Sequence, residues 1–267
     1  MEDTVRISLC IVTYNSADKI AATLESIYRY TDSSRCRLTV YVADNASEDD
    51  TVRIVRRRFP QVRLLRMKRN TGFGHANNAV LKDLDSDYHF ILNPDVLLRD
   101  DILNAMAGWL SEHPDVVMAV PKFYFADGTE QFTPKRCPTF RYVYGGRLEM
   151  LGNPFRRWRS EYTLRGENVT EPVDVDFCSG CFIAVRTSVF RDLGGFDRRY
   201  FLYGEDADLT RMAKRYGRTV YTPQFAVTHL WERASAKSPR FFLIHMHSMI
   251  QYFYKWRFGG RFAGRTS

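Results

Sequence analysis

The sequence has 267 residues, of which 45% are hydrophobic and 26% charged, and this composition excludes a globally disordered chain. No stretch approaches the roughly 20 apolar residues of a membrane-spanning helix, and the first residues are too acidic for a signal peptide. Five cysteines argue against a disulfide framework and predict a reducing, cytoplasmic compartment. The formal net charge of +8 favours anionic partners such as nucleotide phosphates, nucleic acid or an anionic membrane surface.

The first half of the chain alternates strand and helix patterns. Apolar runs predict strands at 5–14, 38–43, 62–67, 88–92 and 116–120, and helical spacing predicts helices at 16–30, 48–58, 74–84 and 100–110. The short links between them predict a Rossmann-like α/β fold, with a mostly parallel sheet flanked by helices. Ligands of such sheets bind beyond the carboxyl ends of the strands, so the residues that follow each strand are the candidate site.

The pattern changes after about residue 121. Residues 121–172 are rich in Gly, Pro, Arg and aromatics and predict a long irregular insertion. A strand at 173–185, a helix at 206–216, a strand at 226–229 and an aromatic helix at 240–256 follow. Since no linker divides the chain, we expect one domain over 1–267. Within it the pattern separates residues 1–120, residues 121–239 and a C-terminal helix with a basic tail (240–267).

Acidic residues and one histidine stand where predicted strands end. Asp44 precedes a possible helix start, so helix capping by Asp44 is one alternative to ligand binding. Asp95 is followed by apolar residues, which makes capping a weaker explanation for it. A divalent cation on a diphosphate needs one or two carboxylates, so Asp95 is a candidate ligand and His229 a second. The alternative for His229 is a histidine buried in the core.

Three acids, Glu205, Asp206 and Asp208, lie within four residues at a predicted helix start. Favourable interaction with the helix dipole is one explanation for such a cluster. The apolar residues 201–204 before them favour a partly buried cleft, in which a carboxylate can act as general base.

Two further motifs leave other chemistry open. The segment 72–77 contains most of a G-x-G-x-x-G pattern, with Asp95 about 20 residues later, as in NAD(P)-dependent oxidoreductases. Asn77 at the third glycine position argues against it. Cys178 and Cys181 form a single C-x-x-C pair in an apolar segment, for which core packing is favoured over zinc or redox chemistry.

The sequence resembles the family 2 glycosyltransferases of the GT-A fold, most closely their rhamnosyltransferase-like branch. The resemblance covers residues 6–255, and the motifs that carry it are IVTYN at 11–15, ADNAS at 43–47, NTGFG at 70–74, NPD at 93–95, GGFD at 194–197 and FLYGEDADL at 201–209. Each motif is weak alone, but their order and spacing together are specific.

The resemblance implies that residues 1–120 form the nucleotide-sugar-binding half and residues 121–239 the acceptor-side and catalytic half. It also implies a role for each matching position. It implies that Asp206 is the catalytic base, that Asp95 and His229 bind Mg²⁺ or Mn²⁺, and that Asn93 replaces the first acid of the D-x-D motif. Asp44 is implied to bind the pyrimidine base of the donor. The remaining implied nucleotide-sugar-binding residues are Thr13, Tyr14, Asn15, Asn70, Gly72, Asn93 and Asp95, and the implied acceptor-side residues are Asp176, Glu205 and Trp231.

The implied reaction is inverting transfer from a nucleotide-diphosphate sugar to a hydroxyl of a glycan or lipid-linked glycan, in cell-surface polysaccharide synthesis. The branch favours dTDP-L-rhamnose, with a UDP-hexose as the other donor, and no nucleic acid is expected as a partner. Aromatics and arginines at 240–262 predict peripheral binding to the inner face of an anionic membrane, unless the helix only packs on the core.

Overall fold

We analysed a computed structural model that describes residues 4–133, 136–163, 167, 169–230 and 239–258. Its strands are β1 (Val5–Thr13), β2 (Cys36–Asp44), β3 (Arg63–Arg66), β4 (Tyr88–Leu92), β5 (Val96–Leu97), β6 (Val116–Tyr124), β7 (Glu130–Gln131), β8 (Val173–Asp174), β9 (Phe182–Arg186) and β10 (Arg218–His229). Its α-helices are α1 (Ile20–Tyr30), α2 (Thr51–Arg58), α3 (Phe73–Asn77), α4 (Ile102–Glu112), α5 (Phe140–Arg147), α6 (Phe155–Thr163), α7 (Thr187–Asp192), α8 (Glu205–Ala213) and α9 (Pro239–Phe258). Short 3-10 helices span Asn78–Asp83 and Glu149–Leu151.

These strands form one sheet in the order β3-β2-β1-β4-β9-β6-β10-β5, with β7 on β6 and β8 on β10. The strands β3, β2, β1 and β4 are parallel to one another, and so are β6 and β10. Strand β9 lies antiparallel between β4 and β6. The predicted mostly parallel α/β sheet is therefore confirmed, and β9 joins its two parallel groups.

Both faces of the sheet are covered by core side chains. Because side chains alternate along a strand, Leu9 and Ile11 of β1 enter one core cluster while Cys10 and Val12 enter a second. Helix α1 covers the first face with a buried stripe of Ile20, Leu24 and Ile27. Burial on both faces explains why β1 reads as an almost continuous apolar run.

Four sequence predictions need correction. The strand predicted at 226–229 begins at Arg218, because the preceding residues also pair with β6. The helix predicted from residue 48 begins at Thr51, because the Asp49 carboxylate instead accepts hydrogen bonds from the backbone N–H groups of Ala17 and Thr51. The strand predicted at 173–185 is two strands, β8 and β9, separated by a loop. The insertion at 121–172 is not wholly irregular, because β6 continues to Tyr124 and α5 and α6 form a helical hairpin.

Candidate active site

The carboxyl ends of β1 and β2 meet in register at Thr13 and Asp44. Asp44 is fully buried, and its Oδ1 accepts a hydrogen bond from Thr13 Oγ1 at 3.0 Å. Its Oδ2 accepts one from the backbone N–H of Ser47 at 3.1 Å. Asp44 therefore closes a local turn and does not cap a helix, since α2 begins only at Thr51, and each oxygen keeps a second acceptor position. The structure also places Tyr14, half exposed, at this end of β1.

Asn15 fixes the loop that faces this edge. It has a positive φ of 50°, its N–H donates to Ser47 Oγ at 2.9 Å, and its Oδ1 accepts from the N–H of Glu48 at 2.8 Å. The loops after β1 and β2 are thus joined side by side, and the structure brings Thr13, Tyr14, Asn15 and Asp44 together as predicted.

Asn45 is a positioning residue that the sequence reasoning missed. Its buried amide donates to the carbonyl of Gly72 at 3.1 Å, and its Oδ1 accepts from the N–H of Thr71 at 2.8 Å. Asn70 completes the turn by accepting the N–H of Gly72 at 3.0 Å. An amide directly after an acid at a strand end was the only available signal for Asn45.

The glycine loop is closed against the segment that precedes α8. Gly72 has φ +89°, and a Cβ there would lie 2.0 Å from the carbonyl oxygen of Phe201. The N–H of Phe73 donates to that same oxygen at 3.0 Å. A dinucleotide pyrophosphate would need such amides free, yet the N–H groups of Gly72 and Phe73 are both bonded within the protein. The loop geometry therefore does not support the oxidoreductase alternative.

We expect Gly72→Ala to destabilise the fold by at least about 2 kcal/mol, because the new Cβ meets backbone as well as straining φ. Gly128→Ala is the matched control, since Gly128 has φ +83° but no atom within 4 Å of the new Cβ. Chemical denaturation of both variants measures the difference. Equal losses of unfolding free energy in the two variants would show that the close approach of Gly72 to Phe201 does not affect stability.

Asp95 and His229 meet at the end of β10. The Nε2 of His229 lies 3.4 Å from Oδ1 of Asp95, and their side chains are only 3% and 14% exposed. Backbone pairing fixes the contact, because His229 lies opposite Val96 and the N–H of Leu230 donates to the carbonyl of Asp95 at 2.9 Å. This juxtaposition is the one that the sequence predicted for a metal site.

Gln131 of β7 sets the tautomer of His229. The Nε2 of Gln131 donates to the carbonyl of His229 at 2.8 Å, so its Oε1 is the acceptor that faces His229 Nδ1 at 3.0 Å. Nδ1 must therefore carry a proton, which leaves Nε2 as the nitrogen that can bind a cation beside Asp95. Burial lowers the pKa of His229, but the Cys181 sulfur and the Asp95 carboxylate raise it, to about 10 overall. A cation would compete with that proton for Nε2.

The donor set fits a hard divalent cation that shares its coordination with a ligand. Within the described part of the chain, no three His, Cys, Asp or Glu side chains are grouped to hold an ion. Protein ligands from Asp95 and His229 would thus leave most positions to phosphate oxygens and water, as Mg²⁺ and Mn²⁺ allow.

Glu205 and Asp206 begin α8, after Gly204 in the left-handed conformation. Asp206 Oδ2 accepts the N–H of Gly180 at 3.0 Å, whereas Glu205 is buried against Gly74. Glu205 Oε2 has no hydrogen-bond partner among the described residues. Burial, together with the charge of Asp206, raises the pKa of Glu205 well above its usual value. This favours a neutral Glu205, so Asp206 is the candidate base of the two acids.

One loop, residues 178–181, joins these two acid centres. Gly180 donates to Asp206, and the carbonyl of Cys181 accepts the N–H of Asn93 at 2.9 Å. Asn93 is thereby fixed beside Asp95. Cys178 is a fully buried free thiol, which agrees with core packing, whereas Cys181 is only partly buried and its sulfur lies beside His229.

The remaining acceptor-side predictions are only partly placed. Asp176 is partly exposed, forms an ion pair with Lys214 and accepts the N–H of Cys137 at 3.2 Å. Trp231 lies outside the described residues. Tyr162 of α6 was not predicted, yet burial raises its pKa and the nearby charge of Asp206 raises it further. The second hairpin helix therefore lies within electrostatic range of the candidate base.

Relatives of known activity match most of the chain. It is 30% identical over 265 residues to the N-acetylglucosaminyl-diphospho-decaprenol L-rhamnosyltransferase of Mycobacterium tuberculosis, which covers 93% of this chain and 84% of that protein. It is 28% identical over 167 residues to the rhamnosyltransferase WbbL of Escherichia coli, covering 59% of this chain and 60% of that protein.

Solved structures share the fold at lower identity. The mannosyltransferase PcManGT of Pyrobaculum calidifontis, solved with GDP-Man and Mn²⁺, superposes with a TM-score of 0.65 at 20% identity, over 96% of this chain and 65% of that one. TarS of S. aureus, solved with UDP-GlcNAc, gives a TM-score of 0.63 at 17% identity, over 93% of this chain and 67% of that one. These neighbours are GT-A glycosyltransferases, so the fold is GT-A.

The family model for glycosyl transferase family 2 matches residues 8–194, which include β1 to β9 and the candidate donor and cation residues up to Asp95. This match and the 30% identity across 93% of the chain decide between the two enzyme classes that the sequence left open. The protein is a glycosyltransferase, and its chain belongs to glycosyl transferase family 2.

Proposed function

We propose that the protein transfers L-rhamnose from dTDP-L-rhamnose, with inversion, to a hydroxyl of a lipid-linked glycan during cell-surface polysaccharide synthesis. The loop at 178–181 carries the proposal, because it joins a candidate base, Asp206, to the candidate cation site at Asp95. Transfer from a diphosphate donor requires both. The choice of rhamnose rests on the two rhamnosyltransferases that the chain resembles.

The acceptor follows from the same comparison. The mycobacterial relative is described as acting on N-acetylglucosaminyl-diphospho-decaprenol, a sugar on a lipid diphosphate. We extend that acceptor class to this chain. A UDP-hexose is the second candidate donor, because a fold neighbour was solved with UDP-GlcNAc.

In the proposed mechanism the acceptor hydroxyl loses its proton to the carboxylate of Asp206. The hydroxyl oxygen then bonds to the anomeric carbon while the bond from that carbon to the donor phosphate oxygen breaks, and the nucleoside diphosphate leaves. Attack opposite the leaving group inverts the configuration. A divalent cation bound by Asp95 and His229 would stabilise the negative charge on the diphosphate. The Gly180 N–H orients Asp206, and buried Glu205 adds no second charge beside it.

A donor panel tests the assignment. The protein is incubated with a short-chain N-acetylglucosaminyl-diphospho-prenol and, separately, dTDP-L-rhamnose, UDP-glucose, UDP-galactose or UDP-GlcNAc. We expect product with dTDP-L-rhamnose, with its anomeric configuration inverted by NMR. Product from a UDP-hexose and none from dTDP-L-rhamnose would overturn the donor, and a retained configuration would overturn the mechanism.

We expect Asp95→Ala to abolish the Mn²⁺ dependence of nucleotide-diphosphate binding. His229→Ala should lower the apparent affinity for Mn²⁺ by at least about 10-fold. Gln131→Leu should lower the same affinity by about 10–100-fold, because it removes the acceptor that fixes the His229 tautomer. Calorimetric titrations with and without Mn²⁺ measure this. His113→Ala is the control, since the His113 ring bonds only to the local carbonyl of Trp109 in the described structure. Unchanged titrations in all three site variants would remove the cation from the proposal.

We place the protein at the cytoplasmic face of a membrane, where both a nucleotide sugar and a lipid-linked acceptor are available. Among the described residues, no helix combines the length and apolar character needed to cross a bilayer. Peripheral attachment is therefore the mode of membrane binding that we propose.

A further inference from the structure

The exposed apolar side chains of the described structure concentrate on two segments, the α5–α6 hairpin and α9. Met150 is 93% exposed, and Leu151, Leu243, Ile250 and Tyr254 are each between 63% and 69% exposed. Phe140 and Phe242 add to the same two segments. Scattered apolar residues on a surface are ordinary, but a concentration of this kind indicates an interaction surface.

Helix α9 has two distinct faces. On its inner face, Met249 and Tyr252 are buried and Ser248 donates to the carbonyl of Leu202 at 2.8 Å. On its outer face, Leu243, Ile250 and Tyr254 follow one another at spacings of seven and four residues and form a single stripe. The helix therefore both packs on the protein and exposes an apolar face.

The hairpin lies beside α9. The rings of Phe140 and Phe253 stack with their centroids 4.0 Å apart, and Val143 packs in the cluster that contains Met249 and Tyr252. Between the two hairpin helices, the 3-10 turn Glu149–Leu151 carries the exposed Met150 and Leu151. The first hairpin helix therefore packs against α9, and the two segments are neighbours in the fold.

The two segments are cationic. Residues 136–163 contain six arginines and two acids. Residues 239–258 contain no acid and three basic residues, of which Arg240 and Arg257 are exposed while Lys255 faces inward and pairs with Asp197 and Asp208. One of the two acids, Glu161, already pairs with Arg141 and Arg157. Exposed apolar side chains surrounded by positive charge complement an anionic lipid bilayer, whose headgroups attract the arginines and whose interface accepts the apolar tips.

We propose that the hairpin–α9 surface, defined by Phe140, Met150, Leu151, Leu243, Ile250 and Tyr254, binds an anionic bilayer, with Met150 and Leu151 inserted below the headgroups. The inference deepens the proposed function by naming the surface that meets the membrane. At the other end of the hairpin, the carbonyl of Tyr162 accepts the N–H of Arg136, and the adjacent Cys137 lies 3.8 Å from the guanidinium of Arg211 in α8, the helix that carries Asp206. Binding through this surface would therefore hold α8 and its candidate base near the bilayer, where a lipid-linked hydroxyl is presented.

Vesicle co-sedimentation of the full chain tests the surface. We expect the parent protein to bind phosphatidylglycerol–phosphatidylcholine vesicles, to bind pure phosphatidylcholine more weakly, and to dissociate as salt is raised. Met150→Glu with Leu151→Glu should weaken binding at least about 10-fold, and so should Ile250→Glu with Tyr254→Glu. Tyr216→Glu is the matched control, because Tyr216 is 47% exposed outside this surface.

Absence of parent binding would overturn the proposal, and so would double variants that bind like the parent. All four substituted residues are exposed, so we expect both double variants to melt at the temperature of the parent protein. If the variant at 150 and 151 does not fold, the variant at 250 and 254 still tests the surface. Transfer to a water-soluble acceptor is measured in parallel. Transfer without vesicle binding would reject the surface alone, whereas vesicle binding without transfer from any donor would reject the proposed function alone.

Discussion

Asp206→Asn is expected to lower kcat by about 10²–10⁴ while the fold and the affinity for the donor are kept. The amide cannot accept a proton from the acceptor hydroxyl, but its oxygen can still accept the N–H of Gly180 that now bonds to Oδ2 at 3.0 Å. The neighbouring Glu205 is buried and its pKa is raised, so it cannot replace the lost base. Initial rates with saturating donor give kcat, and calorimetry gives the donor Kd.

Asp127→Asn provides the control for this measurement, because Asp127 lies in an exposed turn and bonds only to Thr129 in the described structure. It should transfer sugar at the parent rate. Near-parent turnover by Asp206→Asn would remove Asp206 as the base. A loss of donor binding together with turnover would instead assign Asp206 to the donor site.

Lys255→Met is expected to destabilise the protein by about 3–5 kcal/mol, because it leaves a buried carboxylate without its cation. Asp208 is fully buried, and its Oδ2 lies 2.6 Å from the Nζ of Lys255. The same carboxylate accepts hydrogen bonds from Trp256 Nε1 at 2.8 Å and from the hydroxyl of Tyr200 at 3.3 Å. These two neutral donors cannot balance the charge. Denaturant unfolding at pH 7 measures the loss.

The loss should increase with pH. Burial raises the pKa of Asp208, and Lys255 lowers it part of the way back, so removing Lys255 raises that pKa further. In the unfolded chain the carboxyl titrates near its ordinary pKa of about 4. Between these two pKa values the folded variant binds more protons than the unfolded one, so its stability falls as pH rises through that window. Two control variants should lose less stability than Lys255→Met. Lys255→Arg keeps the positive charge, and Arg257→Met removes a cation that is exposed. A loss independent of pH would contradict this account.

Local patterns predicted β1, β2 and β4 well, because strands buried on both faces appear in the sequence as short apolar runs. The carboxyl ends of these three strands lie within one residue of the prediction. The amino-acid pattern alone is therefore enough to identify Asp44, Asp95 and His229 as candidates. The pairing of Asp95 with His229 follows from a β5–β10 register that places His229 opposite Val96.

Contacts between distant segments could not be predicted. Gln131 determines the His229 tautomer across 98 positions of sequence, and nothing near Gln131 indicates that role. Helix α5 contains two glycines and three aromatics, so packing of Phe140 and Val143 against α9, and not local preference, accounts for it. The start of α2 was misplaced because the Asp49 carboxylate bonds to Thr51 and to Ala17 of a neighbouring loop.

The central position of β9 has a consequence for synthesis of the chain on the ribosome. Strand β4 pairs with β1 on one side, but its other edge is completed only by β9, where Tyr88 lies opposite Arg186. Until residue 186 has been translated, the nascent protein presents β4 as an open strand edge, which can pair with other chains. Recombination between related proteins is limited by the same pairing. A crossover between β4 and β9 would pair the β4 strand of one parent with the β9 strand of the other. Exchange of acceptor-side segments should therefore keep β4 and β9 from one parent.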